Sequence, residues 1–247
     1  MASCKNALLR RAHVAKLTLF ASALLSSPFV RAAEDPLAGQ VEAARKTRDE
    51  KQLTALKVQL EQQIAQNGSD AALFLDLARV ESYLLDVYEM RKDKKPEVAL
   101  IDKAIEAAQR SISLNDKSAD THSLLADLYG RRIILGNGMF AGPKFGPKVK
   151  EENAKAMALD DKNPRVWASL GRQYLMAPKM FGGDVAKAVE SFQKSLEIDN
   201  AQDETWVWLA KAFQKQGDKS KAHDAIQHAL SLSPNSPWVK EAASSLN

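Results

Sequence analysis

Two short stretches carry the residue types most suited to chemistry. Lys179-Met-Phe-Gly-Gly-Asp184 and its near copy Gly138-Met-Phe-Ala-Gly142 are glycine-rich, and such turns can aim backbone N–H groups at a phosphate. Gly136-x-Gly138-x3-Gly142, after Ile133-Ile-Leu135, has the outline of a dinucleotide-binding loop. That site requires a buried parallel strand before the glycines and a helix that starts on them. Here the apolar residues before Gly136 continue a helical pattern from near Thr121, and Pro143 and Pro147 are expected to block a helix just beyond. There is no Gly-Lys-Ser/Thr of a P-loop either. Both stretches therefore read as turns between helices, and no cofactor is expected.

Other catalytic patterns are equally thin. His223 and His228 are five apart, which does not set them on one helical face. His122 occupies a packing position. No nucleophile elbow or zinc-type cluster occurs, and the carboxylates are spread over solvent faces and caps. The reading is of a protein that is not an enzyme.

The chain has 247 residues. Lys5, Arg10, Arg11 and Lys16 precede an apolar run from Leu17 to Val30, followed by Val30-Arg31-Ala32. That order is an export signal, predicted over residues 1–32, and the run is too short to span a membrane. Its removal takes away five basic residues and no acids, so the formal charge falls from +4 to −1. The basic character thus belongs to the signal and implies no nucleic-acid partner. Cys4, the only cysteine, is lost with it. The expected product is periplasmic, with full secretion as the alternative. It has no integral membrane segment and is held by packing alone.

The apolar period is helical throughout. Trp206, Leu209, Ala210 and Phe213 form one stripe, Gly217-Asp218 interrupts, and Ala222, Ile226 and Ala229 form a second before Pro234. This is a pair of short amphipathic helices. Trp167, Leu170, Gly171 and Tyr174 with Ala188, Phe192 and Ser195 repeat it, as do Leu125, Ala126 and Tyr129 with Val149 and Ala156. Phe74, Leu77 and Ala78 pair with Ala104, Ala108 and Ser111. The spacing closely resembles the tetratricopeptide repeat (TPR), which implies an all-α, right-handed solenoid of stacked helix pairs. The repeats are placed at 69–116, 118–161, 163–200 and 202–235, after a degenerate pair over 33–68 and before a capping helix over 236–247.

Between the small residues of paired helices, Ala210 to Ala229 spans 19 positions, while the three earlier units span 24, 30 and 33. The excess of 5, 11 and 14 residues is expected to build inter-helix turns along one edge, where partners commonly bind. The closures Leu114-Asn-Asp, Leu159-Asp-Asp and Ile198-Asp-Asn are expected to cap the helices that follow.

Two surfaces are candidates for binding. In the turns, Met139, Phe140, Phe145, Met180 and Phe181 either fold back over helix ends or line a cleft with Lys144, Lys148 and Lys179. In the concave groove, Arg79, Asp127, Arg172 and Lys211 fall at equivalent positions of successive first helices, with Arg165 beside them. They suit a carboxylate-bearing peptide or solute, unless Asp127 neutralises a neighbour.

A narrower stretch, from Trp167 through Gly182-Gly183-Asp184 to Asp199, is similar to the T component of TRAP-type solute transporters. That resemblance implies an extracytoplasmic helical protein working beside solute-binding proteins. The first reading is a scaffold that binds a protein or peptide partner, and the alternative is a transport accessory holding a small apolar or anionic solute. A closed pocket of Met180, Phe181 and Arg172 would mark the second.

Overall fold

The computed structural model describes residues 36–92, 97–136 and 138–246. The expected export signal and Cys4 lie outside the described residues. Eleven α-helices and no strand occur among the described residues, stacked as consecutive pairs in an all-α solenoid. Helix α1 is Pro36–Thr47 and α2 is Glu50–Gln66. The four following pairs are α3 (Ala71–Arg91) with α4 (Glu97–Leu114), α5 (Ala119–Leu135) with α6 (Gly138–Leu159), α7 (Pro164–Met176) with α8 (Val185–Ile198), and α9 (Asp203–Gln216) with α10 (Lys219–Leu232). Helix α11, Pro237–Leu246, ends the array. None of these helices is long and apolar enough to cross a membrane.

Local sequence explains most boundaries. Asp49, Asp70, Ser118, Asn163, Asp184 and Asp218 each accept a hydrogen bond from an otherwise orphaned N–H in the first turn of the next helix. Each such cap is worth about 1 kcal/mol. The closures expected to cap do something else. Asn115, Asp160 and Asp199 accept from the N–H two residues on, forming Asx turns that steer the chain towards the following helix.

The packing positions of the repeats fill the core. Leu125, Tyr129, Ala188, Phe192, Ala210, Phe213, Ala222, Ile226 and Ala229 are buried, while Trp167, Tyr174 and Trp206 are half-buried. Pro234 is exposed, just beyond the Ser233 cap of α10. Gly171 is present because Phe192 needs its space: a Cβ there would lie 2.6 Å from the ring.

Two expectations are corrected. Pro143 and Pro147 do not block a helix; both lie inside α6. Each removes one backbone hydrogen bond, but each follows a glycine, Gly142 or Gly146. Glycine lacks the Cβ that makes helical geometry unfavourable before proline. The extra residues also do not all become turns. They lengthen α3 to 21 residues and α6 to 22, against 14 for α9 and α10. The shortest insertion is a turn, with a 3-10 helix over Lys179–Phe181.

The array is closed by its first described helix, α1. Leu37, Val41 and Ala44, one apolar stripe of α1, are buried in the core shared with α2 and α3. The polar side of α1 faces the inner helices of the distant repeats. Arg45 reaches Asp203 at 2.8 Å and Glu204 at 3.1 Å on α9, and Arg165 of α7 approaches Glu42 at 4.0 Å. Helix α11 touches α3, so the last element meets the first full repeat.

Candidate functional site

The groove that the first helices were expected to leave open is filled by α1 and by ion pairs. Arg48 bridges Asp86 at 2.8 Å and Glu204 at 2.5 Å, with its guanidinium 4.4 Å from the Tyr83 ring centre and 5.8 Å from that of Trp238. Arg79 holds Asp76 at 3.0 Å and Asp120 at 2.8 Å, and Arg165 shares Asp120 at 3.0 Å. Asp127 accepts from Nε and Nη2 of Arg172, at 2.9 and 2.5 Å, and from the Ser169 hydroxyl at 2.8 Å. Asp127 thus neutralises a neighbour, and Arg79, Arg165 and Arg172 have carboxylates already. Burial weighs against the charge on Arg79 and Arg172, but the adjacent carboxylates outweigh it and raise both pKa values.

Lys211 is the exception. No carboxylate lies within ion-pair distance of it among the described residues. Its ammonium sits 4.5 Å from the Trp208 ring centre and 5.5 Å from that of Trp238. Burial lowers its pKa, only partly offset by the more distant Asp86 and Glu89. Beside it is a recess of about 370 Å³ lined by Leu175, Met176, Trp208, Lys211, Gln214 and Lys215. A larger recess, about 640 Å³, lies between α8, α9 and α10 and mixes Glu197 and Asp224 with Lys221 and His228.

The Met–Phe stretches do not fold back over helix ends. Met139 and Phe140 stand on the first turn of α6, 79% and 75% exposed, and Met180 and Phe181 on the 3-10 turn are 83% and 56% exposed. Phe145 differs: it stacks on Tyr129 at 5.5 Å, with Lys144 and Lys148 over its ring. The 3-10 turn packs beside α6, since a Cβ on Gly182 would lie 3.6 Å from Lys150 Nζ. Met139 and Phe140 begin that same helix, roughly 15 Å along its axis. Met180, Phe181 and Arg172 form no closed pocket; Arg172 is held in the groove by Asp127.

His122 is buried, with Nδ1 2.5 Å from Glu152 and Nε2 3.0 Å from the Asp116 carbonyl, so it ties α5 to α6 as a packing residue. Sequence reading missed Arg45, Arg48, Glu204, Trp208 and Trp238. The basic run Arg45-Lys46-Thr47-Arg48 was the one available signal for the first two.

A sequence model of the family described as "Regulator of microtubule dynamics protein 1-3" matches residues 37–247, from the first buried leucine of α1 to the last residue. The chain belongs to this family. The match takes in α1 together with the repeats, as one RMD1-3 unit. A search of curated proteins finds no match. Among solved structures, the RMD1-3 chain is similar to TTC0263, a thermophilic TPR protein in Thermus thermophilus. They share 15% identity over 86% of this chain and 97% of that one, with a TM-score of 0.65. MamA covers 75% of this chain and 91% of its own at 17% identity and a TM-score of 0.42. YrrB, titled a TPR protein with an unusual peptide-binding site, covers 85% and 98% at 10% identity and a TM-score of 0.41. The TTC0263 superposition shows the TPR fold. None of the comparisons supports the transporter T-component resemblance.

Proposed function

We propose that this RMD1-3 chain is a non-enzymatic, exported scaffold that docks a protein partner along the edge formed by Met139, Phe140, Met180 and Phe181. The carrying observation is exposure. Adjacent large apolar side chains on a surface seldom go without a use, and these four, two neighbouring pairs, are each more than half exposed. The exposed side chains of Lys144, Lys148, Lys150 and Lys179 stand around them, so the complementary partner surface is apolar with an acidic rim. The family description supports a protein partner, because regulating microtubule dynamics means acting on a protein assembly. Export rests on the residue order of positions 1–32. The groove contributes less to docking than the edge, because α1 and its arginines occupy it.

A photo-crosslinking residue placed at Phe140 or Phe181 in the native cell tests this. The same discrete crosslinked protein is expected from both positions and from neither Val58 nor Lys194, and the crosslink from Phe140 should vanish when Met180 and Phe181 are both changed to Ser. Equal labelling at all four positions would remove the edge from consideration.

A further inference from the structure

The groove arginines described above are matched to acids, and Lys211 is not. The mismatch extends to its neighbours. The indoles of Trp167 and Trp206 donate to backbone carbonyls six residues earlier, at 2.7 and 2.9 Å, as part of the repeat's own framework. The Trp208 indole N–H has no such acceptor among the described residues. Lys215 donates one N–H to the Leu175 carbonyl at 2.7 Å and keeps two more. The recess of about 370 Å³ therefore has donors and the apolar Leu175 and Met176 in its wall, and no acid.

We propose that this recess binds a carboxylate carried next to apolar groups: an acidic–apolar peptide segment, or a small carboxylic acid of the same chemistry. The carboxylate sits against Lys211 Nζ and the Trp208 indole N–H, with Lys215 at the rim. The apolar part lies on Leu175, Met176 and the Trp208 ring. Neutral or cationic ligands leave a half-buried ammonium without a counter-charge, and the site discriminates against them. Arg172 is not part of the recess wall, and its Nε and Nη2 are held by Asp127. Met176, 48% exposed, connects the recess to the turn that carries Met180 and Phe181. The peptide form of the proposal rests on the docking reading, since the partner would bring the carboxylate.

The test is calorimetric titration of the purified full-length chain with four probes: hexanoate, hexanamide, acetyl-Leu-Glu-Leu-Glu-amide, and the same peptide with Gln for Glu. At least one acidic probe should bind tenfold or more tightly than its neutral twin. Lys211→Met should abolish that preference, Lys211→Arg should retain most of it, and Trp208→Phe should weaken it with the helical circular dichroism unchanged. Preference shown by the peptide pair alone assigns the carboxylate to a partner protein; preference shown by hexanoate alone assigns it to a small solute. Equal binding of acidic and neutral probes, no binding of any, or a preference that survives Lys211→Met overturns the proposal. Crosslinking at Phe181 is independent of these titrations. Its loss beside intact probe binding faults the docking reading alone, and the reverse faults the recess alone.

Discussion

Arg48 donates through Nη2 to Glu204 at 2.5 Å across 156 positions of chain, and does so from a left-handed backbone conformation, φ 47°. A non-glycine residue is held there only when its surroundings over-determine it. Arg48→Ala leaves Glu204 and Asp86 short of a buried partner and should cost about 3–5 kcal/mol in denaturant unfolding. The Arg48→Ala, Glu204→Gln double-mutant cycle should show coupling above ~1 kcal/mol. Strict additivity would mean the contact carries no stabilising energy.

Acid should act on the same pair. Burial alone would push the Glu204 carboxyl upward, but Arg48 and Arg45 outweigh it and hold the group at about 2, below its ordinary 4.5. A lowered carboxylate pKa stabilises the fold above the unfolded value and ceases to as pH falls through the folded one. The loss belongs between about 4.5 and about 2 and amounts to roughly 3 kcal/mol. Glu204→Gln should flatten the stability–pH curve in that window; an unchanged slope would show that Glu204 is not its source.

Glu81 should behave oppositely. It is 2% exposed, its Oε1 meets Lys57 at 3.1 Å, and its Oε2 has no hydrogen-bond partner. Burial, opposed by Lys57, raises its pKa. A raised carboxylate pKa lowers stability at neutral pH, and the loss is recovered only as pH falls through the folded value towards the unfolded one. Glu81→Gln should therefore match or exceed the natural chain at pH 7, by up to about 1 kcal/mol. A loss above that figure would show the Lys57 pair to be net stabilising.

Gly183 admits no side chain, because a Cβ there would lie 1.9 Å from the Ala177 carbonyl oxygen. Gly183→Ala must rebuild the turn from Ala177 to Asp184. Proteolysis is expected to shift to that turn, and crosslinking through Phe181 to fall. The cost in global stability should be only about 1–2 kcal/mol, because no core residue moves. An unaltered cleavage pattern would refute the tight turn.

Met180→Ser with Phe181→Ser should leave stability within about 0.5 kcal/mol, since neither side chain is buried. A melting-temperature drop of several degrees would show that they pack in solution.

The repeat was legible because its signal is local. The stripe Trp206, Leu209, Phe213 and its partner Ala222, Ile226, Ala229 set helices and pairing from short-range spacing, and the TPR resemblance followed. The role of α1 was not legible, because Leu37, Val41 and Ala44 look like any amphipathic helix. Its charge partners Asp203 and Glu204 lie 158 and 159 positions beyond Arg45. Pro143 and Pro147 were misread because Gly142 and Gly146 offset them, a pairwise effect that single-residue preferences hide. At the candidate site, the sequence offered Lys211 and Arg172 as equals. Asp127, 45 positions from Arg172, makes them different. Trp208 was overlooked because it stands two residues from Trp206, off the repeat stripe.

Stacked repeats ordinarily behave as a one-dimensional chain, in which each unit depends only on its neighbours and unravelling starts at either free end. The contacts of α1 and α11 leave neither end of the described array free. Fraying the last repeat means releasing the first, so partial unzipping should be suppressed and the domain should melt as a ring, in one cooperative step. The same closure must wait during folding until two ends far apart in sequence have met, which places it among the late, slow events.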